Sequence, residues 1–166
     1  MKTRETEASI RTEDAAVFIV IDTAEENVPH HAKVLLVQDG DTGPKFWKLP
    51  GGRKKRGEAW DETARRELEE ELGVLLEISS DELFSADLVE SPDVHEFVVF
   101  AHREPPDFDL LRRVRFNPSI TGVHNAAIFD ERQLVGLINS GLVLQKHERA
   151  LQNYLRNAEY CSAKKN

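Results

Sequence analysis

Apolar positions along this chain fall into two patterns, and the first is the short unbroken run. Residues 15–21 read AAVFIVI, a continuous β-branched stretch that predicts a buried strand. Residues 33–38, KVLLVQ, predict a second strand that can pair with the first as a hairpin across the polar turn 23–31, which contains Pro29. Residues 39–44, DGDTGP, are dense in turn formers. A short extended piece at 46–49 stops at Pro50-Gly51-Gly52. Further strands are predicted at 85–90, 96–102 and 123–129. The stretch 104–117 holds Pro105-Pro106 and the basic run Arg112, Arg113, Arg115, and it predicts a loop or excursion.

The second pattern is helical. Residues 59–72 are rich in Ala, Arg, Glu and Leu, the good helix formers. Asp61 and Glu62 stand in the first turn, where the helix dipole favours negative charge. Gly73 follows the last apolar residue, Leu72, as a left-handed C-terminal cap would. Residues 130–139 predict a short helix, and 142–158 a longer amphipathic one with Leu144, Leu151, Tyr154 and Leu155 on its apolar side. Strands, a helix, strands and then helices make the class α+β or mixed α/β/α.

The chain has 166 residues, enough for one domain with a real core, and the expected domain is 14–160. Residues 1–13 are expected to be a solvated tail or a loosely held first strand, and 161–166 a C-terminal tail. A formal net charge of -8 argues against general nucleic-acid binding. No apolar run approaches the roughly 18 residues of a membrane span, so no membrane partner is expected. The polar start, 1–14, carries no secretory signal, and Cys161 is a lone cysteine that cannot form an internal disulfide. A cytoplasmic protein is the simplest reading, and a homodimer is left open.

The candidate chemistry lies on the 59–72 helix. At ~100° per residue, Glu67, Glu70 and Glu71 share one face by their i, i+3, i+4 spacing. Trp60, Ala64, Leu68 and Leu72 form a stripe roughly a quarter turn away. The helix can therefore bury its stripe while its carboxylates open into a cleft. Crowded like charges repel, and a divalent cation would relieve that. Oxygen-only donors suit hard ions such as Mg²⁺ or Mn²⁺. An arbitrary E-x-x-E-E is usually no more than a solvated helix face.

More than that spacing is present. Residues 52–74 read GRKKRGEAWDETARRELEEELGV: a glycine, five residues, a glutamate, seven residues, then R-E-apolar-x-E-E-x-G-apolar. The fixed positions fall on Gly52, Glu58, Arg66, Glu67, Leu68, Glu70, Glu71, Gly73 and Val74, and each is filled. This resembles the box of the Nudix hydrolase family, and the lead-in WKLPGG is similar to the family as well. The resemblance implies a Nudix-type α/β/α sandwich with a mixed sheet, the box helix on one side and the C-terminal helix on the other. It implies a metal-dependent pyrophosphohydrolase that cuts a phosphoanhydride in a nucleoside diphosphate linked to another group. Water would attack phosphorus, with Mg²⁺ or Mn²⁺ neutralising oxygens and helping to deprotonate the water.

By the same resemblance, the Gly51 carbonyl, Glu67, Glu70 and Glu71 hold the metal, and Glu58 adds a ligand directly or through water. Arg66 holds carboxylates in place, and Glu67 is the candidate base. Arg53, Lys54, Lys55 and Arg56 fill variable positions of the box, as a solubilising loop tip or a phosphate-attracting rim. Many relatives carry a glutamate just before the strand that here ends at Phe129, where this chain has His124-Asn125. That departure leaves the base and a fourth carboxylate ligand open. No histidine has a partner at zinc-ligand spacing: His30-His31 are expected in an exposed turn, and His95, His102 and His147 at the surface or an edge.

The substrate classes implied are nucleoside triphosphates including oxidised ones, ADP-ribose, nucleotide sugars and dinucleoside polyphosphates. Pro92 lies where ADP-ribose hydrolases tend to carry a proline, and Phe46 and Trp47 are candidates to stack on a base. The alternative is a non-catalytic nucleotide-binding or regulatory module on the same fold. Lost box glutamates would mark it. A helical interaction domain built on the Glu-rich helix is disfavoured by the strand runs and the glycine positions.

Overall fold

The structure, a computed structural model, describes residues 10–21, 33–39, 46–90, 93–105, 109–115 and 122–163, with side chains for all of these except Asp39, His124 and 158–163. The sequence-based expectations at 1–9, 23–31 and 40–44, including Pro29 and His30-His31, and those at Pro92, Pro106 and the Cys161 side chain, lie outside that description.

A mixed seven-stranded sheet forms the centre. Its strands are β1 (Arg11–Ile21), β2 (Lys33–Asp39), β3 (Trp47–Lys48), β4 (Gly51–Arg53), β5 (Leu83–Val89), β6 (Val94–Glu104) and β7 (Val123–Phe129). β1 runs parallel to β6 along its whole length, from Arg11 beside Val94 to Ile21 beside Glu104. The remaining pairings are antiparallel. The strand begins at Arg11, so residues 11–13 are its first rungs.

Among the described residues, β1 and β2 pair at Val20–Val34 and Ile21–Lys33 alone, and then they part. β3 takes up the freed edge of β2 at Val37 and Gln38, while β4 takes up that of β1 at residues 14–16. The segment from Trp47 to Arg53 thus fills a fork in the sheet, pinned by the Val17 N–H donating to the Pro50 carbonyl at 3.0 Å. Gly51 is required here. A Cβ on it would fall 2.1 Å from the Ala15 carbonyl oxygen, and its φ is 152°.

Helices cover both faces, and β1 feeds both cores. Ala15, Val17, Ile19 and Ile21 meet α1 (Trp60–Leu72) through Ala64, Leu68 and Leu72, with Trp60 packed alongside. Ala16, Phe18 and Val20 meet Leu134 of α3 (Glu131–Asn139) and Ala150, Leu151, Tyr154 and Leu155 of α4 (Gln145–Ala163). A parallel pairing sandwiched by helices accounts for the unbroken apolar run in β1, because neither face is left to water. α1 ends as expected: Gly73 is left-handed, with φ 65°, and its N–H reaches Glu69 O at 2.9 Å.

Two expectations need correction. The 104–117 stretch is not all loop, since β6 runs on to Glu104 and α2 (Leu110–Arg113) buries Leu110 in the α1-side core. The C-terminal helix starts at Gln145, not 142. Residues 142–144 instead run beside β3: Trp47 N–H donates to Leu142 O at 2.8 Å, and Leu144 N–H to Trp47 O at 2.9 Å.

Candidate active site

The fork brings β4 against α1, and the carboxylates of the box helix separate into different settings there. Glu71 is buried, at 8% exposure. Its Oε2 accepts from the Gly51 N–H at 3.3 Å, and its Oε1 lies 3.3 Å from Lys48 Nζ. Burial pushes its pKa up to about 7; the Lys48 charge and the Gly51 N–H oppose the rise, and Glu67 adds to it.

Glu67 lies under Gly52. A Cβ on Gly52 would fall 2.5 Å from the Glu67 carboxyl carbon, so the box glycine leaves room for that carboxylate. Glu70 is half exposed, with Lys55 Nζ 3.5 Å away. Glu69 points outward and is exposed.

Arg66 ties these groups together. Its Nε donates to Glu58 Oε1 at 2.6 Å, and a second nitrogen reaches Glu67 at 2.7 Å and Glu70 at 3.0 Å. A third reaches Glu58 Oε2 at 3.1 Å and the Arg53 carbonyl at 2.8 Å. Glu58 also accepts from Thr63 Oγ1 at 2.8 Å and from the Lys55 N–H at 3.0 Å. The Arg66 hydrogen bond, the largest influence, outweighs desolvation and with the Lys55 and Thr63 hydrogen bonds holds the Glu58 pKa down to about 2. Arg66 in turn is held firmly protonated by Glu58 and Glu67.

The sequence-based site residues therefore all lie on or against the junction of β4 and α1, with Gly51 hydrogen-bonded to Glu71 and Arg66 to Glu58, Glu67 and Glu70. Among the described residues, no three acidic, histidine or cysteine side chains stand close enough to enclose an ion. The carboxylates are drawn onto Arg66 and Lys48. The donor set itself is all oxygen, with a buried carboxylate that a cation would stabilise and a glycine cradle for a second one, and this chemistry suits a hard divalent ion.

Two residues at the site escaped the sequence reading. Lys48, from β3, contacts both Glu71 and the Gly51 carbonyl, the latter at 3.4 Å. His147 was expected at the surface but is 3% exposed. Its Nδ1 accepts from the Leu49 N–H at 3.2 Å, which places the ring proton on Nε2, and burial holds its pKa well below the usual value. The signal for it was available, since His147, Ala150, Leu151, Tyr154 and Leu155 form one helical stripe. Both residues line a pocket of about 200 Å³ that opens beside Gly51 and Gly52. Asp14 and Lys146, paired at 2.7 Å, line it as well.

His102 is also partly buried, with its ring nitrogens 2.6 Å from Glu82 and 2.7 Å from Glu104, whereas His95 is exposed. The His124 side chain lies outside the description, and Asn125 is exposed. Trp47 packs edge-on against Phe129 at 4.8 Å. Lys54 sits over the Trp60 ring at 5.3 Å, and Arg56 is exposed.

The NUDIX domain family matches residues 12–134, most of the chain and the whole of the site but for its C-terminal helix. The chain belongs to the Nudix family. It is accordingly a Nudix hydrolase, an enzyme of pyrophosphate bonds.

Solved structures agree in fold. A mutT/nudix family protein from Listeria innocua superposes with a TM-score of 0.63 at 17% identity, covering 92% of this chain and 97% of that one. An Ap4A hydrolase of C. elegans, solved as a binary complex, gives 0.61 at 18%, covering 86% and 94%. The NUDIX domain of Shewanella oneidensis NrtR, solved with ADP ribose, gives 0.61 at 17%, covering 95% and 93%. Among curated proteins, none matches the chain. No described helix is long and apolar enough to cross a membrane.

Proposed function

We propose that this Nudix hydrolase is a metal-dependent pyrophosphohydrolase acting on a nucleoside diphosphate linked to a further group. The substrate classes are nucleoside triphosphates, ADP-ribose, nucleotide sugars and dinucleoside polyphosphates. The observation that carries the reading is the buried Glu71 carboxylate, held by the Gly51 N–H, with Glu67 cradled under Gly52 and a pocket lined by those two glycines. The Gly51 carbonyl, Glu67, Glu70 and Glu71 would hold Mg²⁺ or Mn²⁺, with Glu58 as a further ligand directly or through water. When bound, the ion neutralises charge on the anhydride oxygens and makes an attacking water more acidic.

The chain's own groups do the rest. Arg66 fixes Glu58, Glu67 and Glu70 relative to one another and so keeps these carboxylates together. Glu67 takes the proton of the attacking water. The water oxygen bonds to phosphorus as the anhydride P–O bond breaks, and the leaving phosphate carries away the electron pair. The neutral His147 ring and the Lys48 ammonium line the adjoining pocket, where one can donate a hydrogen bond and the other offers charge to substrate. Lost box carboxylates would mark a non-catalytic module, yet Glu58, Glu67, Glu70 and Glu71 are all present.

The test is a panel of these nucleotides incubated with Mg²⁺ and with Mn²⁺, the products being resolved by chromatography. Release of a nucleotide monophosphate or of pyrophosphate from at least one class is expected. No turnover across the panel with either ion would refute the proposal.

A further inference from the structure

Lys48 stands on β3, outside the box helix and its loop, yet its ammonium bridges two atoms of the site. It lies 3.3 Å from Glu71 Oε1 and 3.4 Å from the Gly51 carbonyl oxygen. Both side chains of the ion pair are only 11% exposed. These two oxygens are a pair that the metal reading gives to the divalent ion. An ammonium and a divalent cation cannot both sit between them, because like charges at such a separation repel strongly even in a partly screened interior.

We propose that Lys48 is a built-in counter-ion which competes with the divalent metal for Glu71 and the Gly51 carbonyl, and which turns toward the substrate's phosphates when the metal displaces it. The inference rests on the metal reading of the site.

Three features carry it. A buried carboxylate without a partner is costly, so Glu71 needs some cation for the fold to hold it. Its position does not depend on which cation, because the Gly51 N–H fixes Oε2 independently. The displaced ammonium also has somewhere to go: Lys48 lines the 200 Å³ pocket beside Gly51 and Gly52, and a lysine stem is long and flexible. Lys146 lines the same pocket but is committed to Asp14 at 2.7 Å, so it makes no comparable exchange.

The experiment is a Mn²⁺ titration, followed by the electron paramagnetic resonance signal of free ion, on wild type, Lys48→Met, Lys48→Arg and Lys146→Met. Removing the competing charge in Lys48→Met should tighten Mn²⁺ binding by about tenfold or more, while Lys48→Arg and Lys146→Met stay within about threefold of wild type. Lys48→Met should melt below wild type in chelator and gain more from added Mn²⁺. Its KM for the nucleotide should rise. Equal or weaker Mn²⁺ binding by Lys48→Met, with wild type binding normally, would overturn this inference alone. A wild type that takes up no Mn²⁺ would overturn the metal reading and the inference with it. Lys48→Arg reports on the charge even if Lys48→Met folds poorly, and tightening in Lys48→Arg equal to that in Lys48→Met would also overturn the inference.

Discussion

Replacing Glu71 by glutamine should make the metal-free protein more stable at alkaline pH. Glu71 is buried, with 11% of its side chain exposed, and its pKa rises from 4.5 to about 7, chiefly through burial. Because the folded-state pKa lies above the unfolded one, the folded protein binds the proton more tightly between these values. Stability is therefore full below about pH 4.5, falls as pH rises, and levels off above about 7. The difference, 7 minus 4.5, is about 2.5 units, or about 3 kcal/mol at 1.36 kcal/mol per unit.

Glutamine carries no charge at any pH, so that loss disappears. The Lys48 attraction and the Gly51 N–H are already counted in that figure, and the Lys48 ammonium left without its carboxylate takes back part of it, which leaves a net gain of about 1–3 kcal/mol. For a domain of this size that is roughly 3–9 °C in melting temperature. The assay is thermal melting of both proteins in chelator at about pH 5 and about pH 8.5. Glu71→Gln should melt higher at the alkaline pH, and the gap should shrink at the acid one. Millimolar Mg²⁺ should reverse the order, because it stabilises only the protein that binds it. A variant less stable than wild type at alkaline pH in chelator, or a gap independent of pH, would refute the reasoning.

Other perturbations separate fold from site. Glu70→Gln should lower turnover by roughly a hundredfold or more with the fold intact, while the outward Glu69→Gln stays near wild type; equal rates for the pair would refute the face assignment. Gly52→Ala should displace the Glu67 carboxylate and cost turnover more than melting temperature. Gly51→Ala, which meets the Ala15 backbone, should cost the fold itself, and similar melting temperatures for the two would contradict that contrast. Glu58, whose pKa is held near 2, adds stability that is present above about pH 4.5 and lost as pH falls toward 2. Acid unfolding curves of Glu58→Gln should lack that component. If Glu67 is the base, His124→Ala should keep turnover within about tenfold of wild type, whereas loss of a general base costs at least about a hundredfold.

The parts of the fold legible in the sequence were those where one physical rule acts alone. α1 combines a helical stripe, acidic residues in its first turn and a glycine that ends it, and β1 announces its double burial by an unbroken apolar run. The box residues were legible because their spacing is fixed by one helix and one close backbone approach. What stayed hidden depends on long-range pairing. Nothing local says that β1 and β2 part after Val20–Val34, or that β3 and β4 fill the gap, and so nothing local places Lys48 over Glu71. Residues 142–144 read as helix because their apolar side chains continue the stripe of α4, yet their backbone groups pair with Trp47. His147 was misplaced because polarity outweighed periodicity, although it lies on the same stripe as Leu151 and Tyr154.

The central claim, that a divalent ion held by the box carboxylates is needed to break a pyrophosphate bond, is tested most directly by one reversible measurement. Hydrolysis of the best nucleotide in the panel is followed in Mg²⁺, then in the same sample after excess chelator, then after Mg²⁺ is restored. Activity should vanish on chelation and return with the ion, while Glu70→Gln in restored Mg²⁺ stays roughly a hundredfold or more below wild type. Undiminished hydrolysis in excess chelator would contradict the account.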